Sequence, residues 1–243
     1  MKAMIFAAGL GTRLRPLTND RPKALVEVHG KALLEWVILK IREQGIRDVV
    51  INVHHFADKI ETFLSDNKNF GLNISISDER ELLLETGGGL KFAKDLLRGN
   101  EPILIHNADI ISDIDLQAFI QFHQENKALA SLAVSKRNTS RYLHFDEENL
   151  LTGWENIHTG EVRPARVPKG EIRRLAFSGI HLINPGFLDL LLEEGKFSII
   201  EVYLRLASQR RILAYEHQNK NWFDVGKAEN LPLAEAYLKK INT

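Results

Sequence analysis

The chain is 243 residues long and 44% hydrophobic, and its 32 basic and 32 acidic residues balance to a net charge of zero. That is enough apolar material for one α/β domain or a tight pair, and the balance gives no support to a global basic surface for nucleic acid. The absence of cysteine excludes disulfides, thiolate nucleophiles and cysteine-ligated zinc, and no apolar run approaches the ~18 residues of a membrane span. The N-terminus enters a strand without a cleavable apolar leader, so a cytoplasmic protein with no nucleic-acid or membrane partner is expected.

Met4 to Ala8 reads as a short buried strand that breaks at once into Gly9-Leu10-Gly11. Four cations, Arg13, Arg15, Arg21 and Lys23, follow within eleven residues. Small residues let a ligand reach main-chain N–H groups, and cations call for an anion. Two phosphate motifs fail on spacing. The third glycine of a dinucleotide fingerprint would fall at Leu14, and no Gly-x-x-x-x-Gly-Lys-Ser/Thr occurs.

Further along, the spacing of Leu34, Val37 and Ile41 predicts a helix over 32–44 that stops at Gly45. A buried strand over 48–54, a helix over 57–66 and an alternating strand over 73–77 follow. Three consecutive glycines in Glu85-Thr86-Gly87-Gly88-Gly89 then open a helix predicted over 86–97. Such a run costs backbone entropy, and it implies either close approach by a flat ligand or a tight turn. A strand over 103–106 delivers Asn107-Ala108-Asp109, and a helix is predicted over 115–126.

This alternation predicts a mostly parallel sheet with helices on both faces, whose ligands bind beyond the carboxyl ends of the strands. Gly9 to Arg13 and Asn107 to Asp109 fall there. After residue 128 the pattern changes to antiparallel strands over 128–136, 142–145, 150–154 and 173–183, with a turn at 146–149, and then to helices over 187–194, 199–208 and 228–240. The second half, 128–243, is therefore expected as a small antiparallel subdomain lying against the sheet of 1–127, so that 1–243 forms a single domain. The nine histidines show no metal-ligand spacing. Taken alone, Asp109 reads equally as a helix cap near the Asp113 to Asp115 turn, and Asp224 as an ordinary loop acid.

Ala7-Ala8-Gly9-Leu10-Gly11-Thr12-Arg13-Leu14-Arg15-Pro16-Leu17-Thr18, with Pro22-Lys23 beyond it, resembles the signature of the sugar-1-phosphate nucleotidyltransferases. The resemblance implies a Rossmann-like fold and a reaction joining a nucleoside triphosphate to a sugar 1-phosphate with release of pyrophosphate. It implies that Ala7, Ala8, Gly9, Gly11 and Thr12 line the nucleotide, that Arg13 and Lys23 grip its phosphates, and that Glu85, Gly87, Gly88 and Asn107 lie beside the nucleoside. Asp109, and Asp224 within Trp222-Phe223-Asp224-Val225-Gly226, would hold Mg2+ and act with Arg13 and Lys23 in catalysis. Glu155, Asn156, Gly179 and Trp222 would face the sugar. The attacking phosphate oxygen is already anionic, so this chemistry needs positioning and charge neutralisation and no nucleophile or general base.

One departure is the absence of the Glu-Lys-Pro triplet with which many relatives contact the sugar phosphate. Leu84-Glu85-Thr86-Gly87-Gly88-Gly89 resembles the branch acting on N-acetylmuramate 1-phosphate with UTP. GTP with mannose or heptose 1-phosphate is the runner-up, and an inactive nucleotide-binding regulator is the reading from another class. A monomer or homodimer is expected.

Overall fold

The structure is a computed structural model that describes residues 1–218 and 220–241. In chain order its elements begin with β1 (Lys2–Phe6), the short strands β2 (Glu27–Val28) and β3 (Lys31–Ala32), α1 (Leu33–Glu43), β4 (Asp48–Val53), α2 (Ala57–Asp66) and β5 (Asn73–Asp78). They continue through α3 (Glu85–Phe92), α4 (Lys94–Leu97), β6 (Ile103–Asn107), β7 (Ile110–Ser112), α5 (Leu116–Asn126), β8 (Ala130–Ser135) and β9 (Arg141–Phe145). The last are β10 (Leu151–Asn156), β11 (Glu161–Pro164), β12 (Arg173–Ile183), α6 (Ile199–Ala207), β13 (Ile212–Glu216), β14 (Trp222–Asp224) and α7 (Leu231–Ile241).

Successive strand residues point to opposite faces, and both faces of the central strands are covered. On β1, Ala3 and Ile5 join a core with Leu34, Val37, Ile38 and Ile41 of α1, with α2, and with Phe119 of α5. Met4 between them joins a second core with Leu90 of α3, Leu97 of α4 and Val202, Tyr203 and Leu206 of α6. This accounts for the unbroken apolar runs of β1 and β6. Helix α1 ends before Gly45, whose φ of 75° only glycine adopts readily. Helix α5 starts at Asp115, whose side chain accepts from the Ala118 N–H at 3.0 Å.

Strands β1, β4, β5 and β6 are parallel neighbours, as the alternating pattern predicts. The second half does not lie against this sheet but extends it edge to edge. Strand β12 pairs antiparallel with β9 through residues 173–175 and with β6 and β8 farther along, and β13 adds to β8 in parallel. The order runs β11-β10-β9-β12-β6-β1-β4-β5. The reading missed β13 because its apolar stretch is short and follows Arg210-Arg211 directly. Between Phe177 and His181 the register of β12 against β8 slips, at the point where Gly179 takes a φ of 74°. That irregularity lies beside the cleft described below.

Three helix predictions need correction. The helix over 86–97 is two helices, broken at Ala93 (φ −78°, ψ 0°) without a glycine or proline that periodicity could detect. The helix over 187–194 is a 3-10 segment, Pro185–Leu190, which ends before the exposed Leu192. The helix over 228–240 starts as a 3-10 turn, Ala228–Asn230, ahead of α7.

The glycines of α3 are explained by packing against the protein. A Cβ on Gly87 would lie 2.5 Å from Phe197 Cε2 and 3.0 Å from its carbonyl oxygen, and one on Gly88 would lie 2.5 Å from the Gly195 carbonyl oxygen. Gly87→Ala should therefore lower stability by about 1–3 kcal/mol in urea unfolding, as overpacking does. Phe197→Leu in the same background should recover part of that loss. An unchanged urea midpoint for Gly87→Ala would contradict the packing account.

Candidate active site

The loop after β1 folds back on itself. Gly11 has a φ of 65°, and a Cβ there would meet Lys23 Cβ at 2.9 Å and Thr18 Cγ2 at 3.0 Å. The Thr18 hydroxyl donates to the Gly11 carbonyl at 2.9 Å. Ala7 and Ala8 are buried at the base of the loop, and Thr12 starts a 3-10 turn, Thr12–Leu14, that carries Arg13. Of the four cations in this region, Arg13 reaches the cleft and Lys23 reaches Asp109, while the Arg21 guanidinium instead pairs with Asp20 at 3.2 Å. Arg15 is exposed and stands outside the cleft wall.

Asp109 and Asp224, far apart in sequence, are brought together by main-chain pairing. Strands β7 and β14 form an antiparallel ladder with Asp224 opposite Ile110, and the Val225 N–H donates to the Asp109 carbonyl at 2.8 Å. Gly226 marks where the side chains meet. A Cβ on it would lie 2.7 Å from Asp109 Oδ2, 2.9 Å from Asp224 Oδ1 and 3.3 Å from Arg13 Nη2. The Lys23 ammonium donates to Asp109 Oδ2 at 2.6 Å. Burial, followed by the charge of Asp109, pushes the Asp224 carboxyl above its ordinary range, while Arg13 and Lys23 oppose the shift. The capping role at α5 belongs to Asp115, so Asp109 is not needed there.

Beyond the carboxylates opens a cleft of about 630 Å3, lined among others by Arg13, Asn107, Asp109, Arg137, Trp154, Gly179, Trp222, Asp224 and Lys227. Asn107 stands against Gly179, where a Cβ would lie 2.9 Å from the amide nitrogen. The Trp222 indole donates to the Ser178 carbonyl at 2.9 Å, which turns its ring along the cleft wall. Two predicted sugar residues do not reach it. Trp154 lines the cleft, so the strand period turns Glu155 away, where it pairs with Arg174 and lies 3.4 Å from His144 Nε2. Asn156 ends β10, and its side-chain oxygen accepts from the His158 N–H at 3.0 Å to close the hairpin.

Glu85, Gly87 and Gly88 lie at the start of α3 and outside the wall of this cleft. Glu85 holds a left-handed φ of 61°, which is costly for a residue with a side chain. The loop after β1 and this segment are linked by residues that the sequence reading missed. Asn52 accepts from the Ala7 N–H at 2.7 Å and donates to Glu79 Oε1 at 2.7 Å, and Glu79 Oε2 accepts from the Leu84 N–H at 3.2 Å. Both side chains are buried, and burial raises the Glu79 carboxyl despite the opposing bond from Asn52. The available signal was a polar residue inside the apolar run 48–53.

A looped strand end with Arg13 and Lys23 set against two facing carboxylates is an arrangement for handling phosphates, and the chain belongs to the nucleotidyl transferase family, which it matches over residues 2–240. It is an enzyme of the sugar-phosphate nucleotidyltransferase type. It is 36% identical to the N-acetylmuramate alpha-1-phosphate uridylyltransferase of Caulobacter vibrioides, covering 97% of this chain and 96% of that one. It is 34% identical to the protein of the same name from Neisseria meningitidis serogroup B, covering 97% of each. Identity to the mannose-1-phosphate guanyltransferase of Yarrowia lipolytica is 29%, over 95% of this chain and 62% of that longer one. A solved structure described as a putative glucose-1-phosphate thymidylyltransferase from Bacillus anthracis superposes with a TM-score of 0.80 at 20% identity, covering 98% of this chain and 94% of that one, which speaks to the fold alone.

The raised Asp224 carboxyl has a consequence for stability. The folded chain binds its proton more tightly than the unfolded chain does, so ionising Asp224 costs stability as pH rises from its ordinary value of 3.8 through the folded value. Asp224→Asn removes that cost and keeps an acceptor for the Gly226 N–H. Its Tm at pH 7 in metal-free buffer should exceed that of the parent, and the difference should vanish below pH 3.8. A lower Tm at pH 7 would contradict this electrostatic reading.

Proposed function

We propose that the chain transfers the uridylyl group of UTP to N-acetylmuramate 1-phosphate and releases pyrophosphate. The observation that carries the reading is the convergence of Arg13, Asp109 and Asp224 on Gly226, with Lys23 bonded to Asp109. The two uridylyltransferases match over nearly their whole length at 36% and 34% identity, and this supports the choice of substrate. The Leu84 to Gly89 segment supports it as well. A second reading, guanylyl transfer to mannose 1-phosphate, is favoured by the relatives at 29% identity.

In the proposed reaction an anionic oxygen of the sugar 1-phosphate attacks the α-phosphorus of UTP. The bond from the α-phosphorus to its bridging oxygen breaks, and pyrophosphate leaves with the electron pair. No proton has to be removed from the nucleophile, so the protein's task is alignment and charge neutralisation. Arg13 and Lys23 serve the triphosphate. Lys23 does so by exchanging its carboxylate partner for phosphate oxygens, which keeps its charge compensated before and after binding.

Asp109 and Asp224 fit a magnesium ion, because their hard oxygens face one small volume across Gly226. Among the described residues no cluster of three or more potential ligands exists, so other positions fall to phosphate oxygens and water, as this ion accepts. When bound, the ion would withdraw charge from the reacting phosphates. We place the reaction in the cytoplasm. Among the described residues no helix is long and apolar enough to cross a membrane.

Pyrophosphate release tests the reading directly. UTP with N-acetylmuramate 1-phosphate should exceed GTP with mannose 1-phosphate in kcat/KM, and the opposite order would move the assignment to guanylyl transfer. Lys23→Ala should lower kcat by roughly 10²-fold or more, the scale of losing one preorganised charge. Asp109→Asn and Asp224→Asn should each remove most of the activity, and the double variant should be scarcely worse than either single one, since both act through one ion. Losses that multiply in the double variant would refute the shared ion.

A further inference from the structure

The loop between β8 and β9 lines the cleft with Arg137, Thr139, Ser140 and Arg141, all hydrogen-bond donors and none acidic. Arg137 is held in place from two sides. Its Nη2 donates to the Phe177 carbonyl at 2.6 Å, and its guanidinium carbon stands 3.8 Å from the centre of the Trp222 ring. Its Nε is buried and finds no acceptor among the described residues. Burial pulls its pKa down, and the charge of Asp224 works in the opposite direction. A guanidinium held at the cleft wall with this little solvent around it carries a charge that an incoming anion would compensate.

Arg141 lies at the other end of the loop, at the start of β9, where it is exposed and makes no ion pair among the described residues. The loop itself is tied down. The Thr139 N–H donates to the Tyr142 hydroxyl at 3.2 Å, the Arg141 N–H donates to Thr139 Oγ1 at 3.3 Å, and the Ser140 carbonyl accepts from the Ile157 N–H at 2.9 Å. Lys136, just before it, is occupied by Glu216 at 3.3 Å. The cleft thus offers two guanidiniums at separate positions, one beside Asp224 and one toward β9, in addition to Arg13.

A sugar 1-phosphate with a neutral ring brings one anion and can satisfy only one of the two. We propose that this loop selects a sugar 1-phosphate carrying a second anion, a carboxylate on a substituent of the ring. Arg137 takes the 1-phosphate beside Asp224, the contact left open by the missing Glu-Lys-Pro. Arg141, with the hydroxyls of Thr139 and Ser140, takes the carboxylate, for which a planar guanidinium is the matching partner. The inference rests on the nucleotidyl-transfer reading and deepens it by assigning the residues that would set the sugar class.

A matched pair of substrates tests it. N-acetylmuramate 1-phosphate and N-acetylglucosamine 1-phosphate differ only in the lactyl ether that bears the carboxylate. With UTP and magnesium, the parent enzyme should favour the acidic sugar by roughly 10–100-fold in kcat/KM, the scale of a charge-assisted hydrogen bond. Arg141→Gln should erase that preference through a raised KM for the acidic sugar and leave the neutral sugar within about twofold, since the carboxylate is the only group this residue is assigned to hold. Arg137→Gln should lower kcat/KM for both sugars alike by roughly 10²-fold, with Arg137→Lys recovering part of it.

Equal kcat/KM for the two sugars in the parent, or equal losses on both in Arg141→Gln, would overturn the inference and leave the transfer reaction standing. If neither sugar turned over, equilibrium dialysis of the two sugar phosphates would decide. Tighter binding of the acidic sugar that depends on Arg141 would uphold the inference and retire the uridylyl-transfer reading. The absence of any such preference would overturn both.

Discussion

The site depends on one piece of backbone, the two-stranded ladder of β7 with β14, continued by the bond from the Val225 N–H to the Asp109 carbonyl. Two carboxylates in a shared, partly buried volume repel, and the raised Asp224 carboxyl records that cost. The ladder holds them together regardless, because its main-chain bonds follow from strand pairing and are indifferent to side-chain charge. Gly226 then leaves their oxygens facing each other, where any Cβ would intrude. The structure therefore stores an unfavourable charge arrangement, which a cation bound between the two carboxylates would relieve.

In the free protein part of that relief comes from Lys23, whose ammonium sits on Asp109. This pairing links the loop after β1 to the loop after β6 across the carboxyl ends of adjacent parallel strands, where open α/β sheets gather their ligands. It also fits a phosphate-binding role better than a static salt bridge would. In the proposed reaction, a lysine held there by a carboxylate would already be in position when a triphosphate arrives. The Asn52–Glu79 relay does the corresponding job at the other side of the loop, tying the Ala7 backbone to the segment before α3.

Much of this was legible in the sequence because it is local. The strand-to-glycine transition at Phe6 to Gly11, the apolar runs of β4 and β6 and the helical stripe of α1 each follow from neighbours a few residues apart. The convergence of Asp109 and Asp224 was legible only through the resemblance, since no periodicity connects residues on different strands. Three things were not legible. The close packing of the α3 glycines was not, because the atoms they pack against, in Phe197 and Gly195, come from a distant turn. Glu155 read as a sugar contact because strand phase across the β10 hairpin depends on pairing with β9, and that pairing turns Trp154 inward instead. Arg137 went unnoticed because an isolated arginine has no motif, and only its seat on Trp222 distinguishes it.

The central claim is that Asp109 and Asp224 form one cation site that serves the nucleotide. Manganese, a spectroscopic substitute for magnesium, can be titrated by electron paramagnetic resonance in the presence of UTP for the parent chain and for Asp224→Asn. The account predicts a single nucleotide-dependent ion in the parent and its loss in Asp224→Asn, even though that variant should be the more heat-stable of the two without metal. Unchanged manganese affinity in Asp224→Asn would contradict it.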